Sequence, residues 1–184
     1  MKKLKLIYVS IEKMDKKQGE AVEKFRRVCF GNVPPKEIKE HSVAKNFGRV
    51  FVYLDDTIIG GASLFETSVN YCKIKIHLGG MGGVCVLPEL RHKGIGSKIV
   101  RYALKILKEK DYDVAIHSVD LKDKIYGLYE KLGFKFLKQK VTFTDIHGNK
   151  IELDGVMLAP LKFKDIYENI INNDKTFHWG KGYW

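Results

Sequence analysis

The sequence predicts one α/β domain, and three observations predict it. Short apolar runs with period-two alternation, clearest at 73–78, mark strands, whereas 16–30 and 95–108 space their apolar residues for helices. A strand at 84–86 runs straight into a basic, glycine-bearing loop that opens a helix. A continuous apolar run at 113–119 follows one helix later, the spacing of a right-handed crossover between parallel strands. At 184 residues the chain is long enough for one well-buried core and too short for two comfortable ones. The expected unit is a single domain over 1–184, with 174–184 as an aromatic tail.

Taken in order, residues 1–11 begin with lysines as a secretion leader does. Lys5 interrupts the apolar stretch, Glu12 closes it and no small-residue cleavage site follows, so the segment reads as a first strand. Residues 16–30 carry Ala21, Val22, Phe25, Val28 and Cys29 at helical spacing, and Gly31-Asn32-Val33-Pro34-Pro35 stops the helix. A flexible acceptor-side segment is expected over 34–46. Residues 49–54 and 57–65 form two strands around Asp55-Asp56. After the alternating strand at 73–78 comes Gly79-Gly80-Met81-Gly82-Gly83, which a regular strand would not tolerate; a loop, a bulge or a site of close approach is expected. The next helix places Ile95, Ile99, Ala103, Ile106 and Leu107 on one face and Lys98, Arg101, Lys105 and Lys108 on another. Residues 113–119 read as a buried parallel strand, and 122–132 as a helix ended by Gly133. A last strand pair, 134–143 with 151–158, and a short helix over 165–173 precede the tail.

The formal net charge of +11 invites a nucleic-acid reading. The lysines are spread along the whole chain, however, with no arginine-rich arm and no zinc-finger or RNA-recognition signature, so no nucleic-acid partner is expected. The same charge disfavours a strongly cationic substrate unless acidic groups line its pocket. Three cysteines, Cys29, Cys72 and Cys85, show no C-x-x-C spacing, so reduced thiols, no metal and a cytoplasmic location are expected. No run approaches the length of a membrane span, and no membrane partner is expected.

The most informative segment is 84–100. Backbone amides at a helix start lack intrahelical partners and carry the positive end of the macrodipole, and the two glycines of the loop let an anion approach closely, so the segment has the layout of a phosphate cradle. A Walker loop does not fit. The dinucleotide pattern G-x-G-x-x-G starts at Gly94 and Gly96 but meets Ile99 at its third position. What remains is Arg91-x-x-Gly94-x-Gly96, preceded by Val84-Cys85-Val86. This resembles the acetyl-CoA-binding motif of the GNAT N-acetyltransferase superfamily. A second block, Ile125-Tyr126-Gly127-Leu128-Tyr129-Glu130-Lys131-Leu132-Gly133-Phe134, resembles the family's closing helix.

The resemblance implies a three-layer α/β/α fold with a mostly antiparallel, mixed sheet splayed at 84–87. It also implies acetyl-CoA as co-substrate: Val84, Cys85 and Val86 would meet the pantetheine and acetyl carbonyl, and Arg91, His92, Lys93, Gly94, Ile95, Gly96 and Ser97 the pyrophosphate. Lys98 and Arg101 are the helix cations best placed to add to it. The acceptor would be a small-molecule primary amine, with a protein or peptide amine as the alternative acceptor and a non-catalytic CoA-binding module as the alternative role. A homodimer is an open expectation.

Acetyl transfer to an amine requires alignment, a polarised carbonyl, a neutral amine and a proton for the departing thiolate. Strand amides near Val84 and Val86 are candidates for the polarising donors, and by resemblance Tyr129 protonates the thiolate. Many GNAT enzymes place Glu or His on the strand before the cradle, where this chain has Gly80 and Gly82. Glu66, His77 and His117 are the side-chain candidates for the base, His117 foremost because it lies on the strand beside the cradle. The terminal carboxylate of Trp184 is a further candidate if the tail folds back over the cleft. Cys85 has no paired histidine motif, so direct attack is expected rather than an acyl-enzyme. The end of the chain, Trp179-Gly180-Lys181-Gly182-Tyr183-Trp184, with Asp154-Gly155-Val156-Met157-Leu158 and Glu40-His41-Ser42, resembles the aminoglycoside 2′-N-acetyltransferases. That implies an aminoglycoside or another amino sugar as acceptor.

Overall fold

A computed structural model describes residues 3–31, 44–123 and 125–184. The expected acceptor-side segment at 34–46 and the Glu40-His41-Ser42 resemblance therefore lie largely or wholly outside the described residues. Ten strands form two sheets: β1 (Leu4–Ser10), β2 (Lys45–Leu54), β3 (Thr57–Tyr71), β4 (Ile74–Val86), β5 (Val114–Ser118), β6 (Lys135–Phe136), β7 (Val141–Thr144), β8 (Lys150–Leu153), β9 (Val156–Pro160) and β10 (Phe177–Lys181). The described helices are α1 (Lys16–Phe30), α2 (Ile95–Glu109), α3 (Tyr126–Glu130) and α4 (Lys164–Ile171). The seven-stranded sheet has the order β1-β2-β3-β4-β5-β9-β6 and the smaller one the order β10-β7-β8. In the large sheet only β4 and β5 run parallel. This is the α/β fold with a mixed, mostly antiparallel sheet that the sequence predicts.

Helix α1 starts on a capping box: the Asp15 carboxylate accepts from Gln18 N–H at 2.7 Å, and Gln18 Oε1 accepts from Asp15 N–H at 3.2 Å. Phe25 is its buried anchor, whereas Val28, expected on the buried face, is 45 % exposed. In α2 the apolar stripe is buried as predicted, with Val100 added to it.

Strand pairing sorts the side chains. Arg49 lies opposite Ser63, and Ser63 opposite Gly82; in the next row on the same face, Phe51 lies opposite Gly61 and Gly61 opposite Cys85. That face carries α1 at one end. At the other it carries the small sheet and α4, packed around Ile76, Leu78, Phe177 and Trp179. Helix α2 covers the opposite face, where Leu107 and Tyr112 fill the space a β-carbon on Gly79 would need.

Several expectations are corrected. The glycines at 79–83 belong to β4 itself, a continuous strand, because the missing side chains admit Leu107 on one face and Trp184 on the other. The ladder shifts register between Ser63↔Gly82 and Gly61↔Cys85, so a bulge falls at Gly83-Val84, with Gly83 at φ +58°. The splay begins earlier than 84–87: β4 and β5 pair at Leu78↔Val114, Gly79↔Ala115 and Gly80↔Ile116 and then separate. The helix expected over 122–132 is shortened to α3, preceded by a 3-10 turn at Leu121–Asp123. The expected last strand pair is four short strands shared between two sheets, since β7 leaves to join β8 and β10. The aromatic tail is largely strand β10, with Phe177 and Trp179 fully buried. Finally, Cys29 and Cys85 form a disulfide with Cα atoms 6.2 Å apart, in place of the expected free thiols. Strand register and the lie of α1 bring these residues together, and their sequence separation of 56 gave no sign of it.

Candidate active site

Where β4 leaves β5, the fork opens onto a cavity of about 480 Å³ walled by the strand end, the loop after it and α3. Val84, Val86, Arg91, His92, Gly94, Ile95, Gly96 and Ser97, eight of the ten expected donor-site residues, line it, together with Leu128 and Tyr129. The other two do not. Cys85 points to the opposite face, into its disulfide, and Lys93 reaches back to the Glu89 carbonyl at 3.4 Å. Beyond Gly80 the β5-facing edge of β4 pairs with no strand. Two side chains reach its carbonyls instead: His117 Nδ1–H donates to Met81 O at 2.7 Å, and Arg91 Nε donates to Val86 O at 3.1 Å.

The loop leaves backbone amides free at the mouth of the cavity. His92 and Gly94 both adopt left-handed backbone conformations, at φ +62° and +74°, which turn successive amides inward. The ladder of α2 begins with Lys98 N–H on Gly94 O at 3.2 Å, so the amides of Ile95, Gly96 and Ser97 have no intrahelical partner and face the cavity end of a 15-residue helix. No side chain caps that terminus.

Tyr129 is 2 % exposed and packs edge-on against Phe134, with ring centroids 5.8 Å apart. Burial pushes its phenol well above the usual range, which keeps the proton on the oxygen. His117 lies against the Tyr129 ring at 4.3 Å, 6 % exposed. Burial drops its pKa to about 4, and the carbonyl it donates to fixes the neutral Nδ1–H tautomer. It lines neither this cavity nor the next; its ring packs on Tyr129 and bonds the Met81 carbonyl at the fork.

A second cavity, of about 220 Å³, opens on the α1 face. Val22, Phe25 and Phe30 from α1, Arg49 and Phe51 from β2, Ser63 and Phe65 from β3, and Gly82 and Gly83 from β4 line it, and Trp184 closes one side. The two cavities meet along the chain at the bulge, Gly83 on one side and Val84 on the other. Trp184 enters because β10 runs parallel to β7 and turns the chain end under the large sheet. Its indole stacks on Phe65 at 5.4 Å and 7° and leans on Trp179 at 4.4 Å. A β-carbon on Gly80 would overlap that indole, and one on Gly82 would lie 3.1 Å from the Trp184 backbone carbonyl carbon.

The remaining base candidates are elsewhere. Glu66 is held by Lys45 and by the Tyr112 hydroxyl, and His77 Nδ1 meets Ser68 Oγ at 2.9 Å; both border a separate polar hollow. Sequence reasoning missed the wall of the second cavity. One signal was present: Arg49 and Phe51 share a face of a strand, so a charge sits in an otherwise apolar row. Among the described residues no cluster of His, Cys, Asp or Glu has metal-ligand geometry, and no helix is long and apolar enough to cross a membrane.

A splayed, mostly antiparallel mixed sheet with a helix start at its fork is the α/β fold of an acetyltransferase-type domain. Residues 46–136 match the family model of the acetyltransferase (GNAT) domain, and the chain carries a GNAT acetyltransferase domain. Solved structures agree in fold. A GCN5-related N-acetyltransferase from Kribbella flavida is 18 % identical, with 73 % of this chain covering 33 % of that one at a TM-score of 0.58. ElaA of Escherichia coli is 13 % identical, with 85 % and 99 % of the two chains covered at 0.59. An aminoglycoside acetyltransferase from an uncultured soil metagenomic sample is 17 % identical, with 70 % and 86 % covered at 0.54. The chain thus spans about a third of the Kribbella protein and nearly all of ElaA. No curated protein matches it.

Proposed function

We propose that the protein is an N-acetyltransferase that moves the acetyl group of acetyl-CoA to a small primary amine by direct attack. The observation that carries this reading is the meeting of two cavities at one bulge, one at a helix start with free amides and the other bordered by the Trp184 backbone. The free amides of Ile95, Gly96 and Ser97, with Arg91, would hold the pyrophosphate, and Val84 and Val86 would align the pantetheine arm beside the unpaired edge of β4. The amine nitrogen enters from the Gly82 side and attacks the thioester carbonyl carbon. The C–N bond forms as the C–S bond breaks, the thiolate takes its proton from Tyr129, and the nitrogen loses one. In a chain ending at Trp184, the α-carboxylate accepts that proton from the place where a side chain at position 82 would stand.

Free CoA released from acetyl-CoA over a panel of primary amines tests the reading. Turnover on a small amine that Tyr129→Phe slows by about 10²-fold or more, with acetyl-CoA affinity unchanged, is expected. Tight acetyl-CoA binding with no turnover on any amine would instead favour a non-catalytic CoA-binding role. The aminoglycoside reading draws on the terminal-segment resemblance and on fold alone. Among the described residues, the second cavity's lining contains no Asp or Glu side chain and two arginines, Arg26 and Arg49, which is poor complementarity for a polycation.

A further inference from the structure

Arg49, in the wall of the second cavity, is attracted by the Glu23 carboxylate without bonding to it directly. It is part-buried there and has no hydrogen-bond or ion-pair partner among the described residues, and burial lowers its pKa. The other lining cation, Arg26, is already satisfied, since its Nη2 and Nε meet Glu23 Oε2 at 2.8 and 3.2 Å. A guanidinium withdrawn from water without a bonded partner is costly, and its forked donors match a carboxylate bidentately. The rest of the wall is apolar and aromatic. At about 220 Å³ the space exceeds the roughly 150 Å³ that accommodates benzene in an apolar cavity.

The position of Arg49 gives the direction in which an acceptor would lie. Arg49, Ser63 and Gly82 stand in one cross-strand row on one face, so the α-carbons of Arg49 and Gly82 are two strand spacings, about 10 Å, apart. The Trp184 backbone borders Gly82 at one end of that row. The row therefore presents a cation at one end and, at the other, the bulge shared with the first cavity, with the Ser63 hydroxyl between and a hydrophobic wall alongside.

We infer that the acceptor is an amine that carries a carboxylate on an apolar body, an apolar amino acid in chemical class, with its carboxylate on Arg49 and its amine at the Gly82 end. This rests on the acetyltransferase reading above and narrows its acceptor.

The test compares L-phenylalanine, L-phenylalaninamide and 2-phenylethylamine, with kanamycin as the polycation, by CoA release from the full chain. The amino acid is expected to exceed the amide and the decarboxylated amine about 10- to 100-fold in kcat/KM, the worth of a charge-assisted hydrogen-bond pair. Arg49→Gln should collapse the three to within a few-fold of one another, Arg49→Lys should restore part of the preference, and melting temperatures check that both variants fold. Equal rates on the trio in the wild-type protein, a preference untouched by Arg49→Gln, or kanamycin as the best acceptor would each overturn the inference. If no amine is acetylated, the acetyltransferase reading fails separately. Calorimetric binding of the same trio to CoA-loaded protein then still decides whether the carboxylate and Arg49 recognise one another.

Discussion

The Trp184 backbone carbonyl carbon lies 3.1 Å from the point that a β-carbon on Gly82 would occupy, so residue 184 stands where the strand itself has no side chain. The two glycines on that face and the indole are parts of one packing solution: Gly80 makes room for the ring and Gly82 for the backbone carbonyl. The shape of the second cavity and the packing of the tail are coupled through them.

Gly80→Ala should therefore act through Trp184. The added methyl overlaps the indole, and overpacking of this kind costs about 1–3 kcal/mol. Expected are a lower denaturation midpoint, altered indole fluorescence and a fall in turnover, while acetyl-CoA affinity holds. Loss of acetyl-CoA binding along with turnover would contradict the separation of the two cavities.

Gly96→Ala makes the opposite split. A β-carbon there meets only Leu128 Cδ1, at 3.9 Å, so the protein has space for it. Thermal stability should hold or rise by up to about 1 kcal/mol, the usual gain for Ala over Gly in a helix. Acetyl-CoA affinity should fall by about tenfold or more, because the methyl enters the phosphate's approach. Unchanged affinity in calorimetry would remove Gly96 from the donor site.

His117 sets a pH dependence of stability. Its folded-state pKa, about 4, lies below the unfolded value near 6.5, so between these the unfolded chain binds more protons. Stability from this group is complete above about pH 6.5 and is lost as pH falls toward 4, by up to about 3 kcal/mol. Urea midpoints measured from pH 7 to 4 should fall more steeply for the wild type than for His117→Gln. Parallel curves would mean that the imidazole charges without cost.

The disulfide predicts a reductant effect. Cys29 and Cys85 close a loop with a sequence separation of 56, for which the chain-entropy model gives about 4 kcal/mol. Adding reductant, or replacing Cys29 by Ser, should lower the melting temperature by a similar amount in either case. Identical melting curves with and without reductant would show that the bond adds nothing to stability.

The donor half was legible because its parts are close in sequence. A strand, a glycine loop and a helix start must be adjacent in the chain to make a cradle, and both recognisable blocks lie within 84–134. The α2 stripe and the α1 helix followed from period alone. The acceptor half was illegible for the converse reason. Arg49, Ser63, Gly82 and Trp184 meet only through strand register and through the turn of β10 beneath the sheet. The glycine cluster misled for a related reason. Its residues are unsuited to a strand by propensity, but they serve one whose neighbours supply the missing bulk. His117 was placed on the correct strand, but only the fork reveals that its ring bonds Met81 and packs on Tyr129.

Synthesis order gives the parallel β7–β10 pairing a further meaning. The first cavity can assemble once residues up to about 134 have emerged, whereas the second lacks a wall until Trp184 has been added and β10 has docked. Contacts this distant in sequence form late in folding. A nascent or partly unfolded molecule can thus form the first cavity before the second.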